Sequence, residues 1–114
     1  MSKLDEKVGQ YIDDLKTKVG EDNPDVDLLR KLAQSMGPSI YNADAETVAA
    51  SSKSEVETVK NNFVMKKLGV TDEEKADEAI NQVMEKYGKS NRNKYRVVIY
   101  YLLTKHFGKE SMYK

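Results

Sequence analysis

Apolar residues recur along this chain at helical spacing. Leu4, Val8, Tyr11, Ile12, Leu15 and Val19 fall on one stripe of a 3.6-residue helix. Val26, Leu29, Leu32, Ala33 and Met36 form a second stripe, opened by "NPD", where Pro24 suits a first helical turn. A third runs from Val56 through Val59 and Phe63 to Leu68, and a fourth through Ala76, Ala79, Ile80, Val83, Met84 and Tyr87. Ser54 with Glu57, and Thr71 with Glu74, have the spacing of capping boxes at the starts of these two. The fifth stripe begins at Ser90 and reaches Phe107.

Helix stops agree with the starts. Gly20, Gly37, Gly69, Gly88 and Gly108 each follow the last apolar residue of a stripe, where a left-handed residue ends a helix. The pattern therefore predicts helices near 3–19, 25–36, 54–68, 72–87 and 90–107. Gly9 is an exception inside the first stripe and costs about 1 kcal/mol relative to Ala, unless close packing or a bend requires it. "RVVIYYLLT" has the β-propensity of a strand, but its length, Ser cap and Gly stop favour a helix. Val97 to Leu103 are apolar in most directions around that helix, as expected of an element buried centrally. The expected fold is all-α: one domain over residues 1–114, a compact bundle of about five helices with the C-terminal helix, 90–107, as its hub. The irregular connection from Gly37 to Ser54 is expected to hang on Ile40 and Tyr41.

Charge changes this picture in one place. The chain is neutral overall, but residues 1–85 carry a net charge of −7 and residues 86–109 a net +7, with no acid among them. Internal neutralisation is the simpler account, with Arg92 or Arg96 paired to a carboxylate of the first 85 residues. The alternative is a binding face for an acidic protein surface or a phosphate-bearing ligand. Its candidate residues are Lys89, Ser90, Arg92, Asn93, Lys94 and Arg96, clustered where free N–H groups of a helix start also attract anions. Lys89 and Lys94 are expected to reach solvent.

Other chemistry finds little support. "GKS" at Gly88 to Ser90 lacks the first glycine of a phosphate loop, Val83 standing in its place. Asn23, Asp25 and Asp27 echo a calcium loop, but Leu28 and Gln34 occupy its required glycine and glutamate positions. One histidine and no cysteine leave no metal set, and no cofactor is expected. His106 fits the dipole of a helix end better than a catalytic role. The pairs Asp13/Asp14, Glu73/Glu74 and Asp77/Glu78 read as solvated helix faces. A helix-turn-helix reading fails because the last helix turns apolar all round, so no sequence-specific DNA binding is expected.

With no cysteine, no apolar leader and no apolar run beyond seven residues, the chain reads as soluble and cytoplasmic, without membrane insertion; a homo-oligomer is compatible with it. "MEKYGKSNRNKYRVVIYYLLTKHFGKES", "GPSIYNADAETV" and "VKNNFVMKKLGVTD", with "DEKVGQYIDDLK" near the start, resemble a family of small bacterial proteins classed only as a domain of unknown function. The resemblance implies a compact helical cytoplasmic protein and transfers no activity. The functional expectation is a non-enzymatic helical binding module, against a small-molecule enzyme using tyrosines, arginines and His106 in a pocket, or a phosphate or nucleic-acid binder using the basic start of the last helix.

Overall fold

The computed structural model describes residues 3–42, 46–48, 53–88 and 94–113. Among them are five α-helices: α1 (Lys3–Asp14), α2 (Val26–Met36), α3 (Lys53–Thr58), α4 (Glu73–Tyr87) and α5 (Arg96–His106). Two of them continue in a wider π-helical form, α1 through Leu15–Val19 and α3 through Val59–Met65. Short 3₁₀ turns occupy Gly37–Tyr41 and Glu110–Tyr113. The expected all-α bundle is present.

Local chemistry sets the ends. Asp25 caps α2, its carboxylate accepting from the Leu28 N–H at 3.1 Å, so Pro24 lies before the cap and not in the first turn. Asp72 caps α4, accepting from the N–H groups of Glu74 and Lys75. The expected Thr71 box is thus displaced by one residue, and an ionised acceptor makes the stronger cap. Helix α3 starts at Lys53, which puts Ser54 inside the first turn instead of at the cap. The five terminating glycines all have positive φ, from 63° to 106°, as the stops required. Gly9 has neither tight packing nor special geometry: it is exposed, and an added Cβ would meet nothing within 4 Å.

Helix α5 sits at the centre. Val97, Val98, Ile99, Tyr101, Leu102, Leu103 and Thr104 are all buried, against α1, α2 and α4. The Thr104 hydroxyl donates to the Tyr100 carbonyl at 2.7 Å, so its burial leaves no orphan donor. Tyr100 stacks on Phe63 with ring centroids 3.8 Å apart, tying the π-helical end of α3 to the hub. Burying a side chain such as Ile99 stabilises by about 1.5–3 kcal/mol, and one continuous core draws such residues from every helix except short α3, whose π-helical continuation supplies Val59, Phe63 and Val64.

The start of that hub departs from expectation. The helix begins at Arg96, not at Ser90, because Lys94–Tyr95 is extended and forms a small strand, β2. It pairs antiparallel with β1 (Thr47–Val48), in the register Thr47↔Tyr95 and Val48↔Lys94. A backbone partner from the distant connection outweighs the local helical preference, a tertiary effect that no window around Ser90 contains.

Candidate functional site

Helix α1 carries a second, polar stripe beside its apolar one: Lys7, Tyr11, Asp14 and Lys18, at steps of four, three and four. Its two middle members are buried. The Tyr87 hydroxyl, from the end of α4, donates a short hydrogen bond to Asp14 Oδ2 and accepts from the Tyr95 N–H at 3.1 Å. Lys18 Nζ lies 3.5 Å from the other oxygen of Asp14. The Tyr11 hydroxyl points to Glu46 Oε2 at 3.3 Å, and Lys7 Nζ reaches that same oxygen at 2.6 Å. Tyr11 and Tyr95 meet edge-on, centroids 5.0 Å apart.

This network joins α1, the end of α4, strand β2 and Glu46, the residue before β1. Asp14, expected to be solvated, is buried, whereas its neighbour Asp13 is exposed as expected. The missed signal was spacing: Asp14 follows Tyr11 by three and precedes Lys18 by four, so one helix face presents it to the interior. Burial pushes the Tyr87 and Tyr11 hydroxyls well above the usual phenol range, and the adjoining carboxylates Asp14 and Glu46 push further. Tyr95 is raised in the same way, chiefly by burial and then by Asp14 and Glu46. Tyr87 and Tyr11 hold their protons at neutral pH and donate hydrogen bonds to Asp14 and Glu46.

The basic stretch enters here through its ends. Tyr87 and Lys94, on either side of it, are each 1% exposed. Lys94 was expected in solvent; it is instead enclosed at the strand pair, and burial lowers its pKa. Arg96 is half-buried at the first position of α5. Lys89, Ser90, Arg92 and Asn93 lie outside the described residues, so the pairing expected of Arg92 does too. An ion pair between the basic stretch and the acidic part does form at its far end, where Lys105 Nζ is 3.3 Å from Glu21 Oε1.

That pair borders a cleft of about 310 Å³ between α4 and α5, lined by Glu21, Gln82, Val83, Lys86, Leu102, Lys105 and His106. Lys105 also donates to the Tyr101 hydroxyl at 3.4 Å, which in turn accepts from the Asp25 N–H at 2.8 Å. Burial lowers the Lys105 pKa, but Tyr101 and Glu21 outweigh it and leave a net rise, so the ammonium is held charged. Glu21 Oε2 is buried with no hydrogen-bond partner. His106 is exposed at the last position of α5, its ring edge-on to Phe107, in keeping with a helix-end residue.

Among the described residues no group of acids and histidine is placed to hold a metal ion, and no helix is long and apolar enough to cross a membrane. Residues 10–111 match the family described as "Protein of unknown function (DUF2853)". The chain belongs to that family. No curated protein matches it. Membership carries no activity to these residues.

Proposed function

We propose that this protein is a non-enzymatic binding module that engages an anionic partner, an acidic protein surface or a phosphate-bearing ligand, through the basic connection from Lys89 to Arg96. One observation carries the reading. The strand pair Thr47↔Tyr95 and Val48↔Lys94 ties the end of the basic connection to the distant segment at Thr47–Val48, just ahead of half-buried Arg96 at the start of α5. Two carboxylates beside that pair, Asp14 and Glu46, have Lys18 and Lys7 as counter-ions. A cytoplasmic setting and the lack of sequence-specific DNA recognition belong to the same proposal.

The test is a titration of the protein with a polyglutamate peptide, with pyrophosphate and with a random-sequence DNA duplex, followed by amide NMR. Salt-sensitive binding of the peptide or pyrophosphate that the double variant Lys89→Gln/Arg92→Gln loses would support the reading. Equal binding by that variant would end it. The enzymatic reading has one observation in its favour, the cleft beside His106.

A further inference from the structure

Most polar groups buried in this protein are accounted for. The network on α1 gives each of its carboxylates both a phenol and a lysine. The cleft between α4 and α5 is different, because its polar groups outnumber the partners supplied to them. Lys86 and Gln82 project from the last turns of α4, are exposed, and make no hydrogen bond or ion pair with a described residue. His106 has an aromatic neighbour but no hydrogen-bond partner among the described residues. Glu21 receives Lys105 on one oxygen, while its other oxygen is buried without a donor.

We propose that this cleft binds a small organic anion that also carries a hydroxyl or amine donor. Lys86 and Lys105 against Glu21 leave a surplus of one positive charge before His106 is counted, which selects an anionic head group. The Gln82 amide and the His106 ring add hydrogen-bonding groups around that head. Val83 and Leu102, 3% and 6% exposed, form an apolar floor against which a short carbon skeleton rests. The donor on the ligand answers Glu21: its Oε2 is buried without a partner, and a turn of the carboxylate about its last bond brings an unsatisfied oxygen to a ligand hydroxyl or ammonium in the cleft. The cleft volume, about 310 Å³, is at the lower end of the range for ligand sites, about 300–1,000 Å³, and so suits a metabolite-sized molecule.

Carboxylate and phosphate share this chemistry, and three probes separate them. Lactate, propionate and glycerol 3-phosphate are titrated into the full chain, with amide and side-chain NMR shifts locating the site and ethanolamine as a cationic control. Saturable shifts centred on Gln82, Lys86, Lys105 and His106 are expected, with dissociation constants of about 1 mM or tighter for the preferred anion. Glycerol 3-phosphate binding tighter than lactate assigns a phosphate ligand; the reverse order assigns a carboxylate. Lactate should exceed propionate, which lacks the hydroxyl, and Glu21→Gln should narrow that gap. The double variant Lys86→Gln/His106→Gln, at two exposed positions, should bind at least about tenfold more weakly, equivalent to 1.4 kcal/mol, with an unchanged thermal melt. Absence of saturable shifts for all three anions, ethanolamine shifting the same residues as strongly, or undiminished binding by the double variant would each overturn the proposal. Shifts confined to Lys89–Arg96 would overturn it too, while favouring the basic connection as the site.

Discussion

Asp14 and Glu21 are seven residues apart on the same stretch of chain, Asp14 buried and Glu21 half-buried with one oxygen cut off from water, and they are treated oppositely. Asp14 is held from two sides, by the Tyr87 hydroxyl and by Lys18, and Tyr87 is itself anchored by the Tyr95 N–H. Glu21 has Lys105 on one oxygen and nothing on the other, and it opens on a cleft. A closed network fixes geometry, since every member loses something if any one moves. An underbonded acid beside a cavity contributes little to the fold and retains capacity for another molecule. Burial alone therefore does not distinguish a structural carboxylate from one free to act. The number of donors each has does.

The comparison has measurable edges, beginning with the core that both regions share. Ile99→Ala should cost about 2–5 kcal/mol in chemical denaturation, since Ile99 is fully buried in the hub and the cavity left cannot close. A loss of only a few tenths would place α5 at the periphery and remove the common frame of the two sites.

Alkaline pH should strike the closed network next. The folded-state pKa values of Tyr11 and Tyr87 lie above the unfolded value near 10, so the folded state holds these protons longer than the unfolded one. Their contribution is complete below about pH 10 and is lost as pH rises beyond it, by up to about 1.4 kcal/mol per unit for each tyrosine. Unfolding free energies measured at pH 9, 10 and 11 should fall steeply over the last interval. Tyr87→Phe should flatten that fall and itself cost about 1–3 kcal/mol, leaving Asp14 without its phenol and the Tyr95 N–H without an acceptor. A variant as stable as the parent would mean that the network is incidental.

At the open site the effect on stability should be smaller. Lys105→Gln breaks a partly exposed pair and should shift stability by no more than about 1 kcal/mol. The smallest change is favourable: Gly9→Ala, on an exposed helical face with open space for the methyl group, should raise stability by about 0.4–1 kcal/mol in the same denaturation series.

Helix periodicity and stop glycines made the bundle legible from the chain alone, because both are local. Apolar residues three and four apart share a face whatever surrounds them, and Gly20 or Gly88 ends a helix by its own conformational freedom. What the local view missed depends on distant partners. Ser90 looks like a helix start until Val48 arrives to pair with Lys94. Lys94 looks solvated in a run of polar residues, yet its strand partner brings it inside. Asp14 sits in a doublet of acids: its spacing from Tyr11 marks it as the inward one, but the partner that makes its burial tolerable is Tyr87, arriving from α4. Of the candidate residues, Lys94 and Arg96 are placed at the start of the hub, while the cleft near His106 was invisible because Glu21, Gln82 and Lys105 come from three separated segments.

The two-residue strand pair has a consequence for the order of folding. Thr47 and Tyr95 are separated by nearly half the chain, whereas the contacts within each helix span three or four residues. Closing so long a loop for so few hydrogen bonds is entropically unfavourable until the helices on either side have docked. The pair should therefore form after the rate-limiting step and be the first part of the native structure to open. Native-state hydrogen exchange would register this as protection at Thr47, Val48 and Lys94 well below that of the α5 core amides, making the β bridge a separate cooperative unit that opens while the bundle stays folded, whereas the Tyr95 amide, held by the Tyr87 hydroxyl, follows the closed network.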